Sequence, residues 1–217
     1  MSDIFSEVDE DLRREQFRKI WERYGNLILA VAVLIVVGVG GWRGWQWYEG
    51  KLAGEAGARF EAAVTLGEQK KFTEAEAAFN QIAAEGPKGY KLLARLRAAD
   101  AAAARDRSES AKAFEAIAAD NSLEQADRDL AAIRAAYIVA DKATYDDMLK
   151  RLEPLAAPNR VFRHTARELL ALSAFQAKNE NAARQWIDTI LSDATTPAGV
   201  RTRTDVLRAL LPPAVKG

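Results

Sequence analysis

The pattern of apolar and polar positions changes twice along the chain. Residues 2–23, SDIFSEVDEDLRREQFRKIWER, set apolar side chains three or four apart among charges. That spacing predicts an amphipathic helix, capped by Ser2 or Asp3, with acids early and bases late as the helix dipole favours. Ile4, Val8 and Leu12 share one face, and Phe17, Ile20, Trp21 and Tyr24 form a second patch. Such a helix either touches a bilayer or a cytoplasmic partner, or is a solvated lead-in whose bases only set topology.

The next 19 residues, 24–42, hold no ionisable group except the Tyr24 phenol. Residues 27–37 are apolar on every side, whereas a surface helix of a globular domain keeps a polar face. At about 1.5 Å per residue the stretch reaches roughly 28 Å, close to the hydrocarbon thickness of a bilayer. Trp42, Arg43, Trp45, Trp47 and Tyr48 follow at once. Indole rings settle at the membrane–water boundary, and an arginine there can extend its head group outward. A buried core helix has no physical need for such an aromatic cluster. A cleaved export signal has a short basic start and an apolar run of about 7–15 residues. Here the apolar run is longer, and the one small-residue box, Ala56-Gly57-Ala58, lies well past it. The stretch therefore predicts an uncleaved anchor. Arg13, Arg14, Arg18, Lys19 and Arg23 precede it, and Arg43, Lys51 and Arg59 follow, which favours a cytoplasmic N-terminus. In a bacterium the remainder would then be periplasmic.

Beyond the anchor, helical periodicity returns on an alanine-rich background. TEAEAAFNQIAAEGP and SESAKAFEAIAADNS resemble each other, setting Phe114 35 residues after Phe79. DDMLKRLEPLAAP puts Leu152 in the same place after 38 more, and NAARQWIDTILSD puts Trp186 there after another 34. Intervals near 34 with a helix–turn–helix reading match tetratricopeptide units. Small residues let neighbouring helices approach, and Phe79, Phe114, Leu152 and Trp186 fill the gap one turn later. First helices are expected at about 51–69, 88–105, 123–141 and 160–177. Apolar stripes support them: Leu92, Leu93 and Leu96 in the second; Leu130, Ile133, Tyr137 and Ile138 in the third; Leu169, Leu170, Leu172 and Phe175 in the fourth. A last helix at about 198–211, with Val200, Val206, Leu207, Leu210 and Leu211, would cap the stack. Pro212 and Pro213 end it and leave a mobile tail. The expected fold is thus all-α: one transmembrane helix, then an α-solenoid of about four tetratricopeptide-like helix pairs with a C-terminal capping helix. The expected divisions are 1–23, 24–48, 49–211 and 212–217.

Composition narrows the chemistry. Thirty-one basic and 31 acidic residues balance, so no global charge pulls the chain toward nucleic acid. There is no cysteine, hence no disulfide, and the single histidine leaves little room for a metal site. His164 and Glu168 stand one turn apart, a pair common on solvated helices. Glu74 with Glu76, and Asp146 with Asp147, fall at predicted helix starts, where the dipole accounts for them. Arg95, Arg97, Arg105 and Arg107 alternate with acids and read as solvated surface. Gly40 and Gly44 give one helix-pairing spacing at the membrane edge. No catalytic residue, cofactor, metal or small-molecule substrate is expected, so the chain reads as no enzyme, and sequence names no partner-binding residue.

The start MSDIFSEVDEDLRRE, WERYGN before the span, WRGWQWYE after it, and the alanine-rich repeats together resemble the YfgM-like proteins, described as ancillary subunits of the Sec translocon (SecYEG). The resemblance covers nearly the whole chain in layout, while most units lack the usual Trp, Leu-Gly and Tyr of the first helix. It implies a periplasmic repeat domain that associates with the translocation channel and a membrane-anchored periplasmic chaperone and assists emerging chains. Two other roles suit the residues: a cell-envelope scaffold that never touches export, and a regulator that holds a cytoplasmic signalling protein through residues 2–23.

Overall fold

A computed structural model describes the backbone of residues 3–212 and the side chains of Arg18 and residues 21–212. The Ser2 cap, the side-chain patch from Ile4 to Ile20 and the tail at 213–217 lie outside those described. Every regular element is helical among the described residues: α1 (Asp3–Glu68), α2 (Phe72–Glu85), α3 (Lys88–Ala102), α4 (Arg107–Ala118), α5 (Gln125–Val139), α6 (Tyr145–Leu152), α7 (Arg163–Gln176), α8 (Glu180–Ser192) and α9 (Ala198–Leu210). A 3-10 turn, Glu153–Leu155, follows α6. The chain divides into two compact units, Met1–Gly54 and Glu55–Gly217.

In the first unit α1 runs without a break through the apolar stretch. It is the one helix, among the described residues, long and apolar enough to cross a membrane, and none of that stretch is buried against protein. Val36, Val37 and Leu34 are all more than half exposed, so the stretch is left for something other than this chain to cover.

The second unit is a stack of helix pairs. The most extensive packing joins α2 to α3, α4 to α5 and α7 to α8, and each helix from α2 to α9 also touches the next. Helices two apart pack as well, α5 on α7 and α7 on α9. Four apolar clusters follow one another through the stack. Phe60, Phe79 and Ile82 fill the first, with the Phe60 and Phe79 rings edge to face at 5.1 Å. Phe114 and Ile117 fill the second, Met148, Leu152, Leu155 and Leu170 the third, and Ile187, Ile190, Val200 and Leu207 the fourth. Alanines line every layer: Ala63, Ala75, Ala94, Ala98, Ala131 and Ala174 are all essentially inaccessible. Without bulk at those positions the helix axes come close enough for one large side chain to reach across.

Two expectations are revised. Leu93, Tyr137 and Leu172 belong to the predicted apolar stripes yet stand 39–49 % exposed, as do Val206 and Leu210 on α9 at about 60 %. The alanines take the interior instead, because the close helix spacing has no room for leucine there. The third second-helix is also short. Pro154 enters at the start of the 3-10 turn, so α6 stops at Leu152 after eight residues, and Leu152 sits at a helix end rather than mid-helix.

Turn chemistry sets where the second helices begin. Asp106, Thr144 and Asn179 cap α4, α6 and α8, each accepting a hydrogen bond from a backbone N–H in the first turn. The turns into α2 and α8 share another device. Lys70 and Lys178 adopt left-handed conformations, with φ of 61° and 57°. In both turns the next residue donates back across the turn, Lys71 to Leu66 O and Asn179 to Ala174 O, each at 2.9 Å. Glycine usually holds this place, since a Cβ there costs roughly 1–2 kcal/mol. Replacing Lys178 by glycine should therefore raise stability by about 0.5–1 kcal/mol after the entropic loss, a gain of about 2 °C in thermal midpoint. Lys178→Val should lower it, and thermal unfolding followed by circular dichroism checks both.

Candidate partner-binding face

The first helices α3, α5 and α7, with the capping helix α9 beside α7, form a row that leaves Leu93, Tyr137 and Leu172 exposed. Charge pairs brace the row between neighbours. Arg134 on α5 lies 3.7 Å from Asp100 on α3. Arg203 on α9 donates to Glu168 on α7, with Nη2 at 2.8 Å from Oε2. Between those braces stands Tyr137, half exposed. Burial lifts its phenol above the usual range, Glu168 adds to that, and Arg203 and Arg134 oppose it. Leu93 and Leu172 continue the row's apolar surface on α3 and α7.

At the α3 end the row opens into a hollow of about 450 Å³. Val64, Phe72 and Phe79 supply its apolar lining, Gly67, Ala75 and Ala101 leave the room, and Arg97 and Asp100 stand at its edge. Burial raises the Asp100 carboxyl above its ordinary range, and Arg134 and Arg97 pull it back. A face of this kind, apolar side chains and arginines alternating along packed helices, suits a segment of another protein. Arg97 and Arg134 stand 37 residues apart, near the repeat interval, which is the trace in the sequence that links them.

The residues singled out from sequence fall elsewhere. Trp42, Trp45, Trp47 and Tyr48 are each more than half exposed, at roughly 0°, 300°, 140° and 240° around the axis of α1, so they ring it on all sides. Arg43 is exposed among them, and the Lys51 ammonium lies 5.9 Å from the Trp47 ring centroid. Phe79, Phe114 and Leu152 are buried to within 4 %. Trp186 is half-buried, donating through Nε1–H to the Tyr145 hydroxyl at 3.0 Å, while Ile187 beside it is the enclosed one. Glu76 accepts from Arg105 at 3.1 Å, Arg95 binds Asp120 at 2.6 Å, and Arg107 reaches Asp141. These arginines therefore tie helices together while Arg105 and Arg107 stay about half exposed, as a solvated surface would have them. Two hydrogen bonds from Ser122, together with Arg95, draw the Asp120 carboxyl down to about 2. Among the described residues no cluster suits a metal ion.

His164 and Glu168 are not the solvated pair that their spacing suggested. Both are buried, and they have separate partners. Glu168 holds Arg203, whereas His164 Nδ1 lies 3.2 Å from the Thr196 hydroxyl. That hydroxyl donates its hydrogen to Ile190 O, so it accepts from His164 and the Nδ1–H tautomer is present. Around it Arg167 donates to Asp193 and to Ala156 O, both at 2.9 Å, and Arg201 holds the backbone of Leu191 and Asp193. This knot fastens the α8–α9 turn to α7. Burial, with Arg163 and Arg167 assisting and Asp193 opposing, keeps the His164 imidazole below its usual 6.5. Thr195 first, then Arg167 and Arg163, hold Asp193 well below the carboxylate range. A depressed histidine leaves the unfolded chain holding the extra proton, so its contribution is complete above pH 6.5 and is lost as pH falls through the folded value. Asp193 contributes above its usual 3.8 and loses that only at stronger acidity. The unfolding midpoint should fall as pH drops below about 6.5, and His164→Gln should flatten the first part of that fall.

A family model described as a tetratricopeptide repeat-like domain matches residues 18–185. No curated protein matches the chain, and no solved structure does.

Proposed function

Because the chain belongs to the tetratricopeptide repeat-like domain family, we propose that it is a membrane-anchored docking protein of a bacterial inner membrane. Repeats of this kind are protein–protein interaction modules, and such a module needs no catalytic group or cofactor. In this reading the N-terminus is cytoplasmic and residues 24–48 span the bilayer, with Trp42, Arg43, Trp45, Trp47 and Tyr48 at its outer boundary. Residues 49–211 form the periplasmic repeat domain, with Phe79, Phe114, Leu152 and Trp186 packing the repeats. They bind other proteins beside the Sec translocon and work with a membrane-anchored periplasmic chaperone on chains as they emerge. The observation that carries the binding role is the uncovered first-helix row, with Leu93, Tyr137 and Leu172 outward between arginines. The uncovered apolar stretch of α1, ringed by aromatics, supports the anchor. The start of the chain and the tryptophan cluster after the span support the narrower export role through their likeness to the YfgM-like proteins.

A photocrosslinker placed at Leu93, Tyr137 and Leu172 tests this in cells with active export. The expected adducts are with translocon subunits, the periplasmic chaperone and newly exported chains. Adducts with envelope proteins alone would replace this reading by the scaffold. Protease added to spheroplasts should digest the repeats, and their full protection would reverse the orientation.

A further inference from the structure

We propose that the cleft between α4 and α6 is a second docking site, and that it takes an acidic protein segment carrying an apolar side chain. It lies on the side of the second helices, apart from the first-helix row, so it stands or falls independently of the reading above.

The cleft encloses about 330 Å³, toward the small end of the range for ligand sites. Its floor is apolar: Ala111 from α4, and Ile138 and Val139 from the end of α5. Four cations surround that floor, Arg107 and Lys112 from α4, Lys142 from the α5–α6 turn and Arg151 from α6, against two carboxylates, Glu115 and Asp141. Each carboxylate is already engaged. Arg151 pairs with Glu115, and Arg107 bridges Asp141 at 3.3 Å and Ile138 O at 2.9 Å. These bonds hold both guanidinium groups in place. Lys112 and Lys142 have no carboxylate within ion-pair distance among the described residues, which leaves one such positive charge on α4 and one on the α5–α6 turn at the lining of an apolar cleft.

That arrangement selects its occupant. An apolar side chain removes the floor from water, and carboxylates on either side of it reach the two lysines. A phosphodiester strand fits less well, because it has nothing to lay on the floor and brings its charges against Glu115 and Asp141. The site therefore reads an acidic-apolar-acidic stretch of polypeptide, of the kind carried by many helix starts and linkers.

The probe is a fluorescein-labelled peptide, Glu-Asp-Leu-Leu-Asp-Glu, added to the full chain in nonionic detergent, with binding read by anisotropy. Saturable binding is expected, weakened at least tenfold by Lys112→Glu with Lys142→Glu and weakened again by salt. Lys112→Gln with Lys142→Gln should give a smaller loss in the same direction, which guards against a folding defect in the charge reversal. A version with serine for both leucines should bind at least fivefold more weakly. The proposal is overturned if no peptide binds, if both double variants bind like the parent, or if the serine peptide binds as well as the leucine one. It is also overturned if soluble polyphosphate displaces the peptide at equal charge, since the surface would then be a general anion patch.

Discussion

Replacing Phe114 by alanine lowers the stability of the repeat unit by about 4 kcal/mol. The ring is 1 % exposed and lies in the second apolar layer among Ala99, Ala131 and Ala135. The alanines cannot swing into the vacated space, and Ile117 with Leu92 and Leu96 closes it only in part, so the loss sits in the middle of the range for aromatic deletions. Because each layer contacts only its neighbours, the loss spreads to the layers on either side rather than to the whole stack. Chemical unfolding of the chain in detergent, followed by circular dichroism, should show a midpoint shift of that size. Trp186→Ala should shift it less, because that indole is only half-buried and Ile187 and Ile190 beside it remain. Equal losses at the two positions would contradict the picture of closed layers.

The second large effect comes from charge. Asp129 on α5 is 2 % exposed, and Arg160, just ahead of α7, reaches it at 2.9 Å. Gln125 donates to the same carboxylate at 2.8 Å. The Arg160 Nε has no partner of its own, so the guanidinium depends on this one carboxylate. Asp129→Ala strands a mostly buried cation and should cost about 3 kcal/mol. Asp129→Leu combined with Arg160→Met should recover most of that loss, since a buried pair is worth little over apolar packing of similar volume. A double variant no more stable than the single one would mean that the pair contributes more than its desolvation takes away.

The helical architecture was legible because three independent patterns agreed. The all-apolar stretch before Trp42, the repeat interval joining Phe79 to Phe114, and the turn-forming residues Gly86, Asp106 and Pro197 that stand between the expected helices each mark an element, and the helices follow them to within a few residues. The α4 start shows this most clearly, because Asp106 is a turn-forming residue and also the cap. The candidate partner-binding face was much less legible. Periodicity groups residues on one side of a helix, but it does not say whether leucine or alanine takes the interior. Here the axes are close, alanine is enclosed, and Leu93 and Leu172 are turned outward. The roles of Glu168 and His164 escape the sequence for a related reason. Their partners, Arg203 and Thr196, lie more than thirty residues away, beyond the reach of any spacing within one helix. Tyr137 and Arg134 belong to the face because neighbouring helices bring Glu168 and Asp100 to them.

The shortness of α6 bears on how the stack carries mechanical load. With Pro154 ending it early, the third layer has the least helix to grip its neighbours, and part of its attachment is made by Arg160 on Asp129 and Arg167 on the Ala156 carbonyl. Polar ties of this kind are short-range and give way over a fraction of an ångström, while the greasy layers on either side yield gradually. A pull on the far end of the repeats would therefore load this joint through brittle polar ties as well as through its own Met148, Leu152 and Leu170 packing.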